Sequence, residues 1–212
     1  MVNKINGAEH MKREQKNQQT RMKILTSAIK EFAQHGYEAG SLNTISQAGG
    51  ISKGIIYHYF DSKDDLYLSC IETCFRNLTA YLSEHLANHN GEKPIEQIMH
   101  YFDIRMDFFR QQPDFARLFC EAVVMPPTEL KQAICDRKSD FDQFNQKLLR
   151  HMLKQEALRP DVTEEELIRI FQQYQDFLNA SYHTNGLIDI EQHEQDCRKA
   201  LDIFFYGIIV RK

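Results

Sequence analysis

No run of residues here is apolar for long enough to span a bilayer and no signal-peptide pattern is present, so a cytoplasmic protein with no membrane partner is expected. The five cysteines, Cys70, Cys74, Cys120, Cys135 and Cys197, include no C-x-x-C pair and leave one over, which argues against a disulfide framework. Catalytic signatures are missing as well. There is no H-E-x-x-H, no G-x-S-x-G, no Walker loop, no facing Glu-x-x-His pair and no dinucleotide glycine fingerprint. No catalytic residue and no cofactor is therefore expected, and an enzyme has nothing to stand on. Excess basic charge is lacking too: 26 Lys and Arg against 30 Asp and Glu give a net charge of −4, unlike a protein that coats nucleic acid. Beyond Leu66 no strand-like alternation occurs, and no internal repeat or low-complexity segment is evident.

What is present is local. Residues 1–66 carry 9 Lys and Arg against 7 Asp and Glu, whereas the remainder carries 17 against 23, so the amino-terminal third is the less acidic end. Within it, Ser41–Leu66 reads as two short helices joined by a glycine turn and followed by the capped start of a third. Ser41 is an N-cap for a helix that turns Leu42 and Ile45 inward, and Gly49-Gly50 allows a sharp reversal before Ile51 re-enters the core. Ser52 caps the next helix, from Lys53 to Tyr59. Asp61 and Ser62 break it, and Ser62 with Asp65 resembles a capping box. This is helix-turn-helix grammar, in which a helix too short to stand alone is braced so that its outer face enters a major groove.

That outer face has the right chemistry. Ile56 and Phe60 lie four apart and face inward, which leaves Lys53, Ile55 and His58 outside. Lys53 and His58 offer donors to base edges or nearby phosphate, and Ile55 suits a thymine methyl. The hydroxyls of Ser41, Tyr57 and Tyr59 reach phosphate, the amides after Ser52 favour an anion, and Gly54 lets backbone approach backbone. Lys63 begins the following helix, where a cation opposes the helix dipole and so answers to negative charge elsewhere. Thr44 and Gln47 project from the supporting helix and complete the expected DNA-binding set. Ahead of these helices, Ile24, Leu25, Ala28, Ile29 and Phe32 form a bracing helix from about Thr20 that Gly36 ends. Residues 1–19, rich in Asn, Gln, Lys and Arg, read as a flexible polar arm, in which Lys12, Arg13 and Lys16 offer basic charge.

These offsets resemble the TetR (tetracycline repressor) family of bacterial transcriptional regulators. Ile24, Leu25, Ala28, Phe32, Gly36, Tyr37 and Ile45 fit its pattern, and Gly50, Ile51, Ser52, Gly54, Tyr57, Tyr59, Phe60, Lys63 and Leu66 follow in register without an insertion. Three positions depart from it: Ser41 stands for Thr, Ser46 for Ala and Gly49 for Ala. The first keeps a capping hydroxyl, and the last costs of order 0.5–1 kcal/mol of helix stability without threatening the fold.

The rest of the chain reads as helices separated by Asn88-His89-Asn90-Gly91, Pro113, Pro126-Pro127, Pro160 and Asn185-Gly186, with one long helix over 128–152 and a capping box from Thr163 to Glu166. The expectation is an all-α chain of about nine helices: a head at 20–66 and a helical regulatory domain at 67–212. Phe177, Tyr182, Leu201, Phe204, Phe205 and Ile208 exceed what one core-facing stripe needs and read as a subunit interface. The resemblance implies a homodimer built from the last two helices that reads a palindromic operator on double-stranded DNA. It also implies a small-molecule effector among the middle helices, where His100, Tyr101, Arg105, Phe109, Phe119, Phe144, Phe171 and Tyr174 are the candidates. A ligand-released repressor is the expected function; an activator or architectural DNA-binding protein with the same head is the alternative. Cys70 and Cys74, one turn apart, have metal-ligand or redox spacing, but with no third ligand nearby they read as small buried apolar residues, so no metal is expected. His183 and His193 read as solvated.

Overall fold

The structure, a computed structural model, describes residues 2–87, 93–154, 160–182 and 190–208, with side chains described for 13–87, 93, 96–154, 160–177 and 190–203. Among the described residues there are ten α-helices and no strand, so the all-α expectation holds. They are α1 (Val2–Ala39), α2 (Leu42–Gly49), α3 (Lys53–Tyr59), α4 (Lys63–Leu86), α5 (Pro94–Gln111), α6 (Pro113–Val124), α7 (Lys131–Arg137), α8 (Ser139–Leu153), α9 (Glu164–Tyr182) and α10 (Ile190–Ile208). The chain divides into two compact units, Met1–Cys70 and Ile71–Lys212, and the boundary falls inside α4.

Unit 1 is built on the apolar stripe of α1. Ile24, Leu25, Ala28 and Phe32 are buried with Ile45 of α2, Ile56 of α3, Phe60 and the first turns of α4 through Leu66 and Tyr67. The Phe32 and Tyr67 rings meet edge to face at 5.2 Å, and Tyr37 donates a 2.6 Å hydrogen bond to Asp64. Because α4 contributes Leu66, Tyr67 and Leu68 to this core, the unit runs four residues past the sequence boundary at Leu66. Gly36 breaks α1 with φ 71°, the left-handed conformation that glycine adopts at no steric cost, and a single further turn carries the chain to Ala39.

Two expectations are corrected here. The segment read as a flexible polar arm is helical from Val2 and continuous with α1. Apolar periodicity is absent there, but residues 8–23 are dominated by Glu, Lys, Gln, Arg, Met and Ala, which lose little rotamer freedom in a helix and contain no proline. The long helix expected over 128–152 is instead a 3₁₀ turn (Thr128–Leu130) followed by α7 and α8. At their junction Lys138 leaves helical geometry with φ −92° and ψ 0°, and no buried apolar residue lies between Ile134 and Phe141, Cys135 being exposed, to hold a continuous helix onto the core.

In unit 2 the rings of Phe75, Phe119 and Phe141 form one cluster, with Phe109 tilted against Phe119 at 5.0 Å between ring centroids. The capping box of α9 forms as expected: Glu166 N–H donates to Thr163 Oγ1, and the Glu166 carboxylate accepts from the Thr163 backbone N–H at 3.0 Å. Those Thr163 bonds hold the Glu166 carboxyl below its ordinary range. The turns expected at Asn88-His89-Asn90-Gly91 and Asn185-Gly186, and His183, lie outside the described residues.

Candidate nucleic-acid interface and inner cavity

Two side-chain caps set the head. Ser41 Oγ accepts from Thr44 N–H at 3.4 Å and Ser52 Oγ from Ile55 N–H at 3.3 Å. Gly50 closes α2 with φ 60°, while Ser46 Oγ donates to the Ile51 carbonyl at 2.5 Å and ties the turn across. With Ile56 and Phe60 buried, α3 turns Lys53, Gly54, Ile55, Tyr57 and His58 outward; Tyr57 is 53% exposed. Thr44, Gln47 and Ser52 are exposed as well, and Ser41 and Tyr59 are half-buried. Tyr59 donates to Asn17 Oδ1 at 3.0 Å, and Arg21 lies 5.0 Å over the Phe60 ring, so α1 supports α3 from below.

Lys63 has an internal explanation. Its ammonium donates to the Glu38 carbonyl at 3.0 Å and lies 4.9 Å from the Tyr37 ring centroid, so it satisfies the end of α1. The negative charge sought from outside is partly supplied within the head. Sequence reading missed Glu31, which is buried and accepts the Ser41 backbone N–H at 2.9 Å, pinning the residue that caps α2. It also misplaced half of the Ser62 box: Asp65 N–H donates to Ser62 Oγ, but the Asp65 carboxylate accepts from Asp61 N–H rather than from Ser62.

Unit 2 holds a small hollow of about 40 Å³, partly open to solvent, among α5, α8, α9 and α10. Its wall is apolar, with Ile98, Leu149, Met152, Phe171 and Leu201, and its polar groups are Tyr101, Asn145 and Gln175. Behind Tyr101 is a buried charge cluster. Arg105 Nε donates to Glu194 Oε2 at 2.5 Å and Nη1 to Tyr101 Oη at 3.2 Å, while the guanidinium lies over the rings of Tyr101, Phe102 and Phe119. Tyr101 in turn donates to Asn145 Oδ1 at 2.9 Å. Burial opposes the Arg105 charge, but Glu194 outweighs it and holds the guanidinium charged. Burial raises the Tyr101 phenol, so it remains a neutral donor. His193 Nδ1 lies 3.5 Å from Glu194 Oε1, and its ring nitrogens approach the Cys197 sulfur to 3.8 Å.

A family model described as "Bacterial regulatory proteins, tetR family" matches residues 24–70, and a second, "Tetracyclin repressor-like, C-terminal domain", matches residues 93–200, more than half of the chain. The chain belongs to the tetR family. It is 28% identical over 121 residues to the HTH-type transcriptional regulator RutR of Escherichia coli K12, covering 57% of this chain and 56% of that protein. It is 30% identical over 79 residues to the biofilm operon negative transcriptional regulator IcaR of Staphylococcus epidermidis, covering 37% of this chain and 41% of that one. The chain thus spans about half the length of the curated relatives it matches. A crystal structure of the transcriptional regulator FadR from Bacillus subtilis in complex with stearoyl-CoA superimposes with TM-score 0.65 at 15% identity, covering 85% of this chain and 96% of that one. These relatives and neighbours are transcriptional regulators, not enzymes.

Within this tetR-family chain the expected effector residues separate into three groups. Tyr101 and Phe171 line the cavity, and Arg105 backs it through Tyr101. Phe109 and Phe119 belong to the aromatic core instead, because their rings pack on one another and, through Phe119, on Phe75. His100 and Phe144 are half-buried outside the cavity wall, and Tyr174 is 37% exposed and stacked on Phe177. Asn145, Gln175, Ile98, Leu149 and Met152 were missed; their helical spacing marks them only as ordinary core or surface positions.

The expected subunit surface is corrected in part. Phe177 is exposed, but Leu201 is buried against the cavity, and the exposed apolar residue beside it is Ile203. With apolar residues on several sides of α10, sequence alone cannot choose the face. The side chains of Tyr182, Phe204, Phe205 and Ile208 lie outside those described. Burial pushes the Cys74 thiol up, with Cys120 adding to it, which keeps it protonated and unreactive as befits an apolar filler. Among the described residues no group of three metal-ligating side chains occurs, and no helix is long and apolar enough to cross a membrane.

His193, expected to be solvated, is buried. Burial works against its charge, but Cys197 and Glu194 beside it outweigh that and push the imidazole up to about 9 from 6.5. A raised value means stability that is fully present below pH 6.5 and lost as the pH rises through about 9. Thermal unfolding is therefore expected at progressively lower temperature from pH 6.5 to 9, with His193→Asn flattening the slope. Identical pH profiles for the two proteins would remove charge from His193.

Proposed function

We propose that this chain is a ligand-released transcriptional repressor that binds a palindromic operator as a homodimer. The observation that carries the DNA-binding half is the outward set on α3, where Lys53, Ile55, Tyr57 and His58 stand around an open Gly54 on a seven-residue helix braced by buried Ile56 and Phe60. The name of IcaR, a negative regulator, favours repression over activation, and the stearoyl-CoA complex of FadR is a precedent for a ligand on this fold. Support for pairing comes from α9 and α10: Ile170, Tyr174 and Phe177 recur at helical spacing on one face, and Ile203 is exposed on α10. Two heads related by a twofold axis would read half-sites in successive major grooves.

Effector binding in the cavity would act through α4, which begins in unit 1 and continues into unit 2. An effector changes DNA affinity only as far as it binds the two forms unequally, typically by about 1–3 kcal/mol.

The test uses fluorescence anisotropy with an inverted repeat from upstream of the chain's own gene and with random DNA. Lys53→Ala is expected to weaken operator binding by about 1–3 kcal/mol, relax sequence preference and lower the salt slope by about 1. Gly54→Ala separates docking from folding. A Cβ there meets nothing nearer than Ser52 Oγ at 3.8 Å, so the helix tolerates or gains from it while close approach to phosphate is blocked. Operator affinity should fall about tenfold with no loss of head stability. Unchanged operator affinity and salt slope in both variants would show that α3 is not the reading helix, and equal affinity for random DNA would favour an architectural binder.

A further inference from the structure

Ahead of its buried stripe, α1 carries a charge pattern that the core of the head does not use. Residues 11–23 hold five Lys and Arg, at 12, 13, 16, 21 and 23, against Glu14 alone, whereas the remainder of the chain holds 21 against 29. The match to the tetR-family model starts at residue 24, so this basic stretch precedes the shared pattern. Residues 13–19, Arg21 and Lys23 are exposed, and the first buried side chain of α1 among those described is Ile24. A helical segment with nothing to bury persists here because it continues a helix that the head has already nucleated.

Two contacts fix this segment against the end of α3. Tyr59, the last residue of α3, donates its hydroxyl proton to Asn17 Oδ1 at 3.0 Å, and Arg21 lies 5.0 Å over the ring of Phe60, the next residue. Asn17 and Arg21 are four residues apart, and Arg13 stands one turn earlier on the same helix face, with Lys12 and Lys16 on the adjoining stripe. With its proton committed to Asn17, Tyr59 has none left for a phosphate oxygen. The donors at this end of α3 are then the cations of α1. Stacking on Phe60 occupies the face of the Arg21 guanidinium and leaves its N–H edge available.

We propose that the side of α1 bearing Arg13, Lys16 and Arg21 is a second DNA contact, which grips the phosphate backbone beside the carboxyl-terminal end of α3 without reading sequence. This rests on the reading of α3 as the helix in the major groove. Charge selects the partner: a duplex carries one negative charge per about 1.7 Å of axis, and this surface is continuous with the face that α3 presents to it. The same strip lets a chain of net charge −4 approach DNA, because its surplus lies at the contact while acidic groups more than about 8–10 Å away are screened by salt.

The test titrates operator and random duplexes by fluorescence anisotropy between about 50 and 200 mM salt, using the full chain and the double variant Arg13→Gln with Lys16→Gln. Both positions are exposed and Gln is a good helix former, so thermal unfolding of the head should be unchanged. Binding is expected to weaken about tenfold on both duplexes with their ratio intact, and the salt slope to fall by about 2. Hydroxyl-radical footprinting gives a readout that loss of long-range attraction alone does not move. Backbone positions protected by the unaltered chain should open in the double variant while the rest of the footprint stays. An unchanged salt slope, or a complete footprint in the double variant, overturns the contact. Weaker binding to the operator alone would make these residues sequence readers and overturn the backbone grip. Lys53→Ala separates the two readings: if it weakens operator binding and the double variant does not, α3 stands and the α1 contact falls, and if neither changes affinity, both fall.

Discussion

Glu194→Ala is expected to destabilise unit 2 by about 3–5 kcal/mol, the usual cost of leaving one member of a buried ion pair alone. The carboxylate is 2% exposed and accepts from Arg105, and removing it leaves that guanidinium and the His193 imidazolium facing each other with no counter-charge. Arg105 cannot respond by losing its proton, so the penalty stays with the fold. His193 can, and its pKa should fall from about 9 with Cys197 alone left to hold it up, so the alkaline loss of stability becomes smaller in the same variant. Replacing both partners by apolar residues, Arg105→Met with Glu194→Leu, removes the charges together and should recover most of the loss. Urea titrations of the single and double variants decide it. A single variant within about 1 kcal/mol of the unaltered protein would show that water or rearrangement already compensates the cluster.

What could be read in the sequence was what is local. Ser41, Ser52 and Thr163 cap helices because a hydroxyl reaches an amide three residues on, and that offset is visible in one dimension. The inward positions Ile56 and Phe60 and the outward Lys53, Ile55 and His58 follow from helical period alone. What could not be read depends on pairs far apart in the chain. Arg105 and Glu194 are 89 residues apart, and neither has a neighbour in sequence that announces the other. Lys63 shows the same limit from the other side. Its place at a helix start argued for an external anion, whereas the Glu38 carbonyl, 25 residues earlier, takes part of its charge. Tyr101 and Phe171 were found as cavity residues and Phe109 and Phe119 were not separable from them, because an aromatic ring facing a void and one facing another ring have the same sequence signature.

Gly40→Ala is expected to cost the head about 3 kcal/mol, near the upper end for forcing extra volume into a packed core. A Cβ at this position would lie 2.5 Å from Phe32 Cδ1, 2.7 Å from Cε1 and 2.8 Å from the Gly36 carbonyl oxygen. None of these can yield cheaply. Phe32 is 1% exposed and its ring is held edge-on by Tyr67, and the Gly36 oxygen already accepts the Gly40 backbone N–H at 3.0 Å. Relief must come from the backbone at residue 40, and the next residue is Ser41, whose N–H is pinned by Glu31 and whose hydroxyl caps α2. The strain therefore lands on the support of α3, so operator binding should fail together with head stability. The stability of unit 2 should be unchanged. Phe32→Leu trims the obstructing ring, and in the double variant the cost of Gly40→Ala should be smaller than in the unaltered background, a coupling measurable by a double-mutant cycle. The expected contrast is with Gly54→Ala, where operator affinity falls about tenfold and stability is kept. If Gly40→Ala behaved in that way instead, the loop before α2 would be a DNA contact and not a packing constraint.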